Sequence, residues 1–342
     1  MTINVTLVTS DALIMGCDSI ASTSQFFLDP MKLLKRNEAG EFVKDADGRY
    51  TGQFDLTDMQ SVVTHSVGSV QKMFPIYNVR SKRDLDGPVV AAVTSGLAAL
   101  DERNMHSLAA EFCNMKRKKK LEDVETIVNE FKQFMDAKYE AHNKANEIPQ
   151  EFREEIEFLI GGYGRKDQFP SVYRINIKEN RVTPLNGPKC PDHTGISWGG
   201  QAYAIQRLMF GYDAPVMTDV QKILDDLYAD MSNATTRILN ETVTALGVPP
   251  PTGVNMELPA KPALSNLTFR YILEIDTANM PLQYGIELVA YLVNQESGRQ
   301  KFTRGVMTVG GRTHIGVITK ATGFRELNKP ELEHKHIGYH RD

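Results

Sequence analysis

Cysteine is scarce in this chain, and long apolar runs and a strong net charge are absent. Its 342 residues include three cysteines, Cys17, Cys113 and Cys190, and its formal net charge is −4. Three widely spaced cysteines do not make a disulfide framework, which favours a reducing compartment. The small negative charge argues against nucleic acid or an anionic membrane as a partner, and the lack of about 18 consecutive apolar residues excludes a helical membrane span. We therefore expect a cytoplasmic protein with neither kind of partner.

Motifs of common enzyme classes are missing as well. The sequence has no G-x-S-x-G, H-E-x-x-H, P-loop or dinucleotide-binding pattern. His334, His336 and His340 cluster near the C-terminal end without a recognisable ligand spacing, so chance is favoured over a metal site. The phrase "DADG" at 45–48 lacks the rest of a calcium loop and is better explained as a turn. No cofactor and no metal are expected.

The chain does contain strands interrupted by pairs of helices. Ile3, Val5 and Leu7 alternate with polar residues from the start, and this pattern predicts a buried first strand. Helical periodicity predicts two consecutive helices over 97–118 and 121–144. Further strands are predicted over 72–80, 88–96, 154–164, 170–177, 181–185 and 194–200, with two more in 302–320. Further helices are predicted directly after Gly200, over 217–246 and over 281–297.

Because the helices come in pairs and not singly between successive strands, a doubly wound parallel sheet fits poorly. The order favours an α+β fold, a four-layer αββα sandwich in which two sheets lie between two helical layers. Residues 1–325 are predicted to form a single domain with an inserted hairpin at about 23–71. Residues 326–342 are predicted to form a C-terminal tail.

The second residue suggests a particular chemistry. Methionine is commonly removed before a small residue, and its removal would leave Thr2 with a free α-amine. A threonine hydroxyl is a poor nucleophile without a base. The α-amine has a reference pKa of about 7.7–8.0, close to working pH, so Thr2 can supply its own base. Such a site also needs a cation, a carboxylate that holds the cation, and backbone N–H donors for an oxyanion.

Candidates for these three roles are present. Asp18 follows the second predicted strand, which pairs back toward Thr2, and Lys72 begins a later strand. Gly96 ends the apolar strand "PVVAAVTSG" and precedes the predicted helix, whose dipole would favour negative charge at that point.

Three segments, "TINVTLVTSDALIMGCDSIAS" at 2–22, "KMFPI" at 72–76 and "TSGLAALDE" at 94–102, resemble the β-type subunits of the proteasome family of N-terminal-nucleophile (Ntn) hydrolases, of the bacterial proteasome-homologue type. The resemblance covers most of residues 2–320. It implies the Ntn-hydrolase αββα fold and a threonine protease that cleaves peptides through an acyl-threonine intermediate. It also implies a self-compartmentalising homo-oligomer, such as a ring, with inward-facing sites. The substrate would be a peptide or unfolded protein, and an ATPase partner is left open.

The resemblance also assigns roles to residues. Thr2 would be the nucleophile and base, Lys72 the cation, Asp18 its partner and Gly96 the oxyanion donor. Substrate would be bound by Ser22, Thr94 and Ala98.

The chain departs from the family pattern in three places. The segment before Lys72 is long, and Lys32 and Lys35 lie nearer the expected spacing. The positions of a supporting serine and of a buttressing aspartate and serine are held by Gly199, Val306 and Val309. Two alternatives therefore stay open: a catalytically silent scaffold or peptide-binding ring, and an amidase acting on small molecules by the same chemistry.

Overall fold

The computed structural model describes most of the chain in two compact units. The described residues are 2–27, 34–37, 39–52, 60–80, 84, 86–212, 214–247, 273–303 and 306–327. The first unit comprises Met1–Gln201 with Thr277–Asp342, and the second comprises Ala202–Asp276. A single domain over 1–325 with a tail over 326–342 stays a prediction.

The strands of the described ranges all belong to the first unit. In chain order they are β1 (Ile3–Val8), β2 (Ala12–Cys17), β3 (Ala21–Phe27), β4 (Gln60–Val67), β5 (Met73–Asn78), β6 (Val89–Gly96), β7 (Ala99–Leu100), β8 (Arg103–Asn104), β9 (Ile156–Tyr163), β10 (Ser171–Asn176), β11 (Arg181–Asn186), β12 (Gly195–Gly200), β13 (His314–Thr319) and β14 (Gly323–Glu326).

The helices are divided between the units. The first unit contains α1 (Met105–Lys116), α2 (Val124–Ala145), a 3-10 turn (Gln150–Phe152) and α5 (Leu282–Phe302). The second unit contains α3 (Tyr203–Phe210) and α4 (Ala214–Ala245). No helix of the described ranges combines the length and apolarity that crossing a membrane requires.

Two antiparallel five-stranded sheets form the centre of the first unit. The first sheet has the order β12-β1-β2-β13-β14, and the second has the order β11-β10-β9-β6-β5. All six residues of β1 and all six of β2 are buried, because both faces of these strands are covered. Leu13 and Met15 of the first sheet share a hydrophobic cluster with Val89, Val93 and Leu159 of the second. Burial of apolar area between the two sheets therefore stabilises the unit.

Helices pack on these sheets through separate apolar clusters. α1 and α2 contribute Phe112 and Phe131 to a cluster with Phe74 and Phe158 of the second sheet. The rings of Phe131 and Phe158 meet edge to face, with centroids 5.2 Å apart, a favourable aromatic geometry. α5 contacts β1 and β2 of the first sheet. The fold is thus a mixture of helices and antiparallel sheets, which confirms the coarse α+β prediction.

Helix α1 begins eight residues later than the periodicity predicts. A short ladder of β7 with β8 precedes it, and Asp101 and Glu102 take positive φ values of 47° and 62° between those strands. The Asn104 side chain then accepts a hydrogen bond from Ser107 N at 2.8 Å, as a helix N-cap does. The predicted helix over 97–118 was therefore wrong for its first eight residues.

The range 302–320 also differs from its prediction of two strands. Its described residues contain only β13, which pairs with β2 and β14. Residues 306–313 instead turn through Gly310 and Gly311, whose φ values are 152° and 78°. This turn carries the Gly310 N–H to the Asp18 side chain.

The inserted segment is an antiparallel extension. β3 pairs with β4, and isolated bridges join Leu34 to Gly52, Arg36 to Phe42 and Lys44 to Tyr50. Within it, the Asp45 Oδ1 accepts hydrogen bonds from the backbone N–H groups of Asp47 and Arg49, both at 2.9 Å. The phrase "DADG" is therefore part of a turn stabilised by its own aspartate.

Candidate active site

Asp18 lies immediately after β2 and is held by three backbone donors. Its Oδ1 accepts from Ile3 N at 3.1 Å, and its Oδ2 accepts from Ile20 N at 3.1 Å and from Gly310 N at 3.0 Å. The residue is 1% exposed. Hydrogen bonds from neutral N–H groups stabilise a buried carboxylate, so the fold positions Asp18 in one orientation.

Lys72, directly before β5, completes the coordination of that carboxylate. Its Nζ lies 2.8 Å from Asp18 Oδ1 and also donates to the Ile20 carbonyl. Only 5% of the Lys72 side chain is exposed. A buried ion pair with further hydrogen bonds on both partners has a defined geometry. The ammonium is therefore fixed, and not free to sample solvent.

Thr2 lies at the start of β1, beside this pair. It is 4% exposed, and its carbonyl accepts a hydrogen bond from Gln201 N at 2.7 Å. Thr2 and Lys72 line one cavity of about 420 Å³. The predicted substrate-binding residues Ser22, Thr94 and Ala98 and the predicted oxyanion donor Gly96 line the same cavity. The structure thus brings six of the seven predicted site residues to one cavity, and places Asp18 behind Lys72.

Gly96 reaches this cavity in a different setting from the predicted one. It ends β6 with a φ of 91°, and a side chain there would overlap the Glu155 carbonyl. No helix starts at Gly96, because α1 begins at Met105. The helix dipole proposed to favour an oxyanion there is absent, so that part of the argument was wrong. The oxyanion role itself stays a prediction.

A second opening beside Thr2 contains residues that the sequence reasoning missed. It measures about 720 Å³, open solvent included, and is lined by Thr2, Ser95, Gly96, Glu155, Glu157, Gly200 and Gln201. Glu157 interrupts the apolar strand "IEFLIGGY", and a single charge within such a strand was the only available signal. Its proximity to the site depends on pairing between strands distant in the chain.

Gln201 belongs to a small polar network at the same corner. Its Oε1 accepts from Thr308 Oγ1 at 2.9 Å and from Gln300 Nε2 at 3.1 Å. Val309 is fully buried, whereas Val306 is 43% exposed. Two glutamines and a threonine therefore supply polar support where the family pattern predicted an aspartate and a serine.

A polar row crosses the first sheet beneath the site. Asn4 is opposite Cys17 in β2, and Cys17 is opposite His314 in β13. Both Asn4 and His314 are 0% exposed, and none of their side-chain nitrogen and oxygen atoms has a hydrogen-bond partner within the described part of the chain. Burial lowers the pKa of His314, Asp18 raises it, and Lys72 lowers it further. Burial likewise raises the pKa of the Cys17 thiol, so His314 is neutral and Cys17 is a thiol at neutral pH.

Lys35, one of the two competing lysines, does not line the cavity. Lys35 is exposed in the inserted segment. Lys32 and the histidines His334, His336 and His340 lie outside the described residues. Across the described ranges, no group of three or more His, Cys, Asp or Glu side chains is arranged to hold a metal ion.

No family model matches the sequence, and no curated protein matches it. Among solved structures, it is similar to "Anbu (Gly-1) mutant" from Hyphomicrobium sp. strain MC1, with 10% identity, a TM-score of 0.45 and coverage of 96% of this chain and 86% of the other. It is also similar to "Anbu (ancestral beta-subunit)" from Yersinia bercovieri, with 8% identity, a TM-score of 0.42 and coverage of 96% and 88%. A third match is the "Helical Assembly of the Anbu Complex" from Pseudomonas aeruginosa, with 10% identity, a TM-score of 0.43 and coverage of 96% and 88%.

These matches overturn the family identification made from sequence. The structures found are Anbu proteins, and at 8–10% identity they are not evidence for an Ntn hydrolase. Identification as a proteasome β-subunit-like Ntn hydrolase of the bacterial proteasome-homologue type was therefore wrong. Because every one of these TM-scores lies below 0.5, any functional argument has to come from the geometry of the site itself.

Proposed function

We propose that this chain hydrolyses amide bonds through Thr2 once Met1 has been removed. The observation that carries the proposal is the buried pair of Lys72 and Asp18, 2.8 Å apart, at the wall of the cavity that Thr2 lines. A fixed ammonium beside a hydroxyl stabilises the alkoxide that forms as the hydroxyl attacks. Asp18 acts through Lys72, because the contact between them holds the ammonium in place.

The reaction has two stages. Thr2 Oγ forms a bond to the amide carbonyl carbon while its proton passes to the α-amine of Thr2. The C–N bond of the substrate then breaks, and the amine delivers that proton to the leaving nitrogen. Water hydrolyses the resulting acyl-threonine ester. Gly96 would donate its N–H to the oxyanion in both stages, and Ser22, Thr94 and Ala98 would contact the substrate.

Peptides are the proposed substrates, and the proposed assembly is a homo-oligomer that encloses the sites. Support for self-association comes from aromatic side chains on α5, where Tyr284 is 64% exposed and Tyr291 is 46% exposed. Large exposed apolar side chains are typical of interaction surfaces when they form patches. We also propose the layer order α1 and α2, second sheet, first sheet, α5, since each of these neighbours shares an apolar cluster or direct contacts. A cytoplasmic location belongs to the same proposal.

The test is covalent labelling of Thr2. Intact mass is measured before and after treatment with an epoxyketone or a β-lactone, and the adduct is mapped. We expect loss of Met1 and one adduct on Thr2, absent from Thr2→Ala and present in Thr236→Ala, which removes an exposed hydroxyl of α4. Retention of Met1, or a free Thr2 that never reacts, would contradict the proposal and favour a catalytically silent scaffold.

Substrate class is tested separately. Cleavage of unfolded protein by the wild type and not by Thr2→Ala supports a peptidase. Hydrolysis of small amides without any cleavage of unfolded protein would instead indicate a small-molecule amidase with the same nucleophile.

A further inference from the structure

Glu157 is a partly buried carboxylate whose position next to Thr2 is explained by none of the roles above. It lies on β9, opposite Ser95 of β6, and both residues line the 720 Å³ opening together with Thr2. Only 21% of the Glu157 side chain is exposed. A charge taken out of water this far is costly unless a cation lies nearby.

The glycine at position 199 provides the space for this carboxylate. Gly199 is on β12, in the other sheet, and a methyl group built on it would overlap Glu157 Oε1. Gly199 pairs with Asn4, and the next residue, Gly200, pairs with Ile3, so the carboxylate meets the first sheet beside Asn4, two residues from Thr2 along the chain. The absence of a side chain at 199 therefore lets Glu157 reach the start of β1.

The existing partners of Glu157 leave it incompletely neutralised. Arg174 Nε lies 3.3 Å from Oε2, and Ser95 Oγ donates to Oε1 at 3.5 Å, which is long for a hydrogen bond. Glu155 and Glu179 add negative charge nearby. Burial raises the pKa of Glu157, while Arg174 lowers it. A second cation at the open side of the carboxylate would stabilise its charged form.

Building on the function proposed above, we propose that Glu157 is the positioning residue for the α-amine of Thr2. The carboxylate accepts a hydrogen bond from the amine and orients the amine lone pair toward Thr2 Oγ. Of the charged side chains at the site, Glu155 and Glu157 line the opening that Thr2 lines, while Lys72, paired with Asp18, lines the other cavity that Thr2 lines.

The role has two separable consequences. A correctly oriented amine raises the reactivity of Thr2 at high pH, where the amine is neutral. A nearby anion also stabilises the ammonium, so it raises the pH at which Thr2 becomes reactive. A side chain that merely supports the fold would affect the first quantity and leave the second unchanged.

The experiment measures the second-order rate constant for acylation of Thr2 by a β-lactone between pH 5.5 and 9, on protein whose loss of Met1 is verified by intact mass. Glu157→Gln keeps the shape of the side chain and removes its charge. In Glu157→Gln we expect the acylation rate constant at high pH, where it no longer changes with pH, to fall roughly 10- to 100-fold, as for a misplaced reacting group. We expect the midpoint to move to lower pH by roughly one unit, as for loss of a neighbouring opposite charge. Glu151→Gln, at an exposed position of the 3-10 turn, should match the wild type.

A second variant keeps the inference testable if Glu157→Gln does not fold. Gly199→Ala leaves the carboxylate in the chain but pushes it away from Thr2, and we expect the same two changes. An unmoved midpoint in the folded variant would overturn the positioning role, even with a lower rate constant at high pH. If the midpoint does not move but wild-type Thr2 still reacts, the proposed hydrolysis stands and only the positioning role is overturned. If wild-type Thr2 fails to react at any pH, both the hydrolysis and the positioning role are overturned.

Discussion

Lys72 has a structural role, since it neutralises the buried Asp18, and a proposed chemical role beside Thr2. Its ammonium is buried, and it neutralises Asp18, whose other three contacts are uncharged N–H groups. Removing one partner of a buried pair leaves an uncompensated charge and costs about 3–5 kcal/mol. A substitution that keeps the charge is therefore the most informative way to test the chemical part.

Lys72→Arg should retain the fold and lose reactivity. The guanidinium preserves the positive charge, but its planar, longer group cannot occupy the ammonium position between Asp18 and Ile20. A charge displaced by about 1 Å can cost roughly 100-fold. We expect a decrease of that size in the rate of β-lactone labelling at Thr2, measured by mass spectrometry. Lys35→Arg, at an exposed position of the inserted segment, should label like the wild type. Equal loss in both variants would refute the assignment of Lys72.

His314 should make the protein less stable in mild acid. Burial holds its pKa below the ordinary value, so below a pH of about 6.5 the unfolded chain binds a proton that the folded chain does not. Stability then falls with decreasing pH, by at most about 1.4 kcal/mol for each pH unit. We expect His314→Gln to flatten this decline in the free energy of unfolding between pH 6.5 and 5, measured by urea denaturation. His65→Gln, which replaces an exposed histidine, should leave this decline unchanged. If His314→Gln also leaves the decline in the free energy of unfolding unchanged, other groups cause it.

The proximity of three predicted site residues could be anticipated where chemistry and local pattern coincide, while their roles stay predictions. Thr2, Asp18 and Lys72 were chosen because a nucleophile, its cation and a carboxylate are all required, and each stands at the end or start of a strand. Glu157 could not be found in this way. Its significance depends on a contact with Gly199, which lies in the other sheet, and no local pattern reports that approach.

At the scale of elements, α5 contains two glycines in opposite surroundings. A methyl group on Gly285 would meet Ile14 Cδ1 at 2.5 Å and Leu7 Cδ2 at 3.1 Å, whereas nothing lies within 4 Å of one on Gly298. Alanine is favoured over glycine within a helix by roughly 0.5–1 kcal/mol. Gly285 therefore tests tight packing of α5, and Gly298 in the same helix serves as the control without it.

Gly298→Ala should raise the free energy of unfolding by about 0.5–1 kcal/mol, since only the backbone effect operates. Gly285→Ala should lower it by about 1–3 kcal/mol, because the extra methyl group overpacks a buried cluster. Urea denaturation of both variants measures the difference. Stabilisation by Gly285→Ala would mean that β1 and β2 can yield to α5 at this point.

Elements were predictable where the pattern is long and uninterrupted. The runs that became β1, β2, β6 and α2 were found within a few residues of their observed bounds. The start of α1 was missed because Asp101 and Glu102 adopt positive φ values, a conformation rare for these residues that periodicity cannot reveal. The strand expected just before Gly310 is not formed by the described residues 306–309, and the Gly310 N–H donates to the Asp18 side chain.

At the scale of the whole molecule, the proposed self-association can be tested at the exposed aromatic residues of α5. Tyr284→Glu introduces a charge at the most exposed of its tyrosines, and burying that charge in an interface is unfavourable. We expect a lower molar mass by light scattering at the same concentration. Gln133→Glu adds the same charge at an exposed site of α2 and should leave the mass unchanged. A wild type that is monomeric, or a mass unaffected by either variant, would contradict the proposed assembly.

The bond from Gly310 N to Asp18 Oδ2 joins residues 292 positions apart in the chain. During synthesis, Thr2, Asp18 and Lys72 leave the ribosome long before residue 310 exists. The carboxylate therefore gains its last donor only when the later part of the chain has folded back onto the first sheet. A nascent or truncated chain ending before that point would hold Thr2, Asp18 and Lys72 without their final alignment, so the proposed hydrolysis would have to wait until the chain is complete.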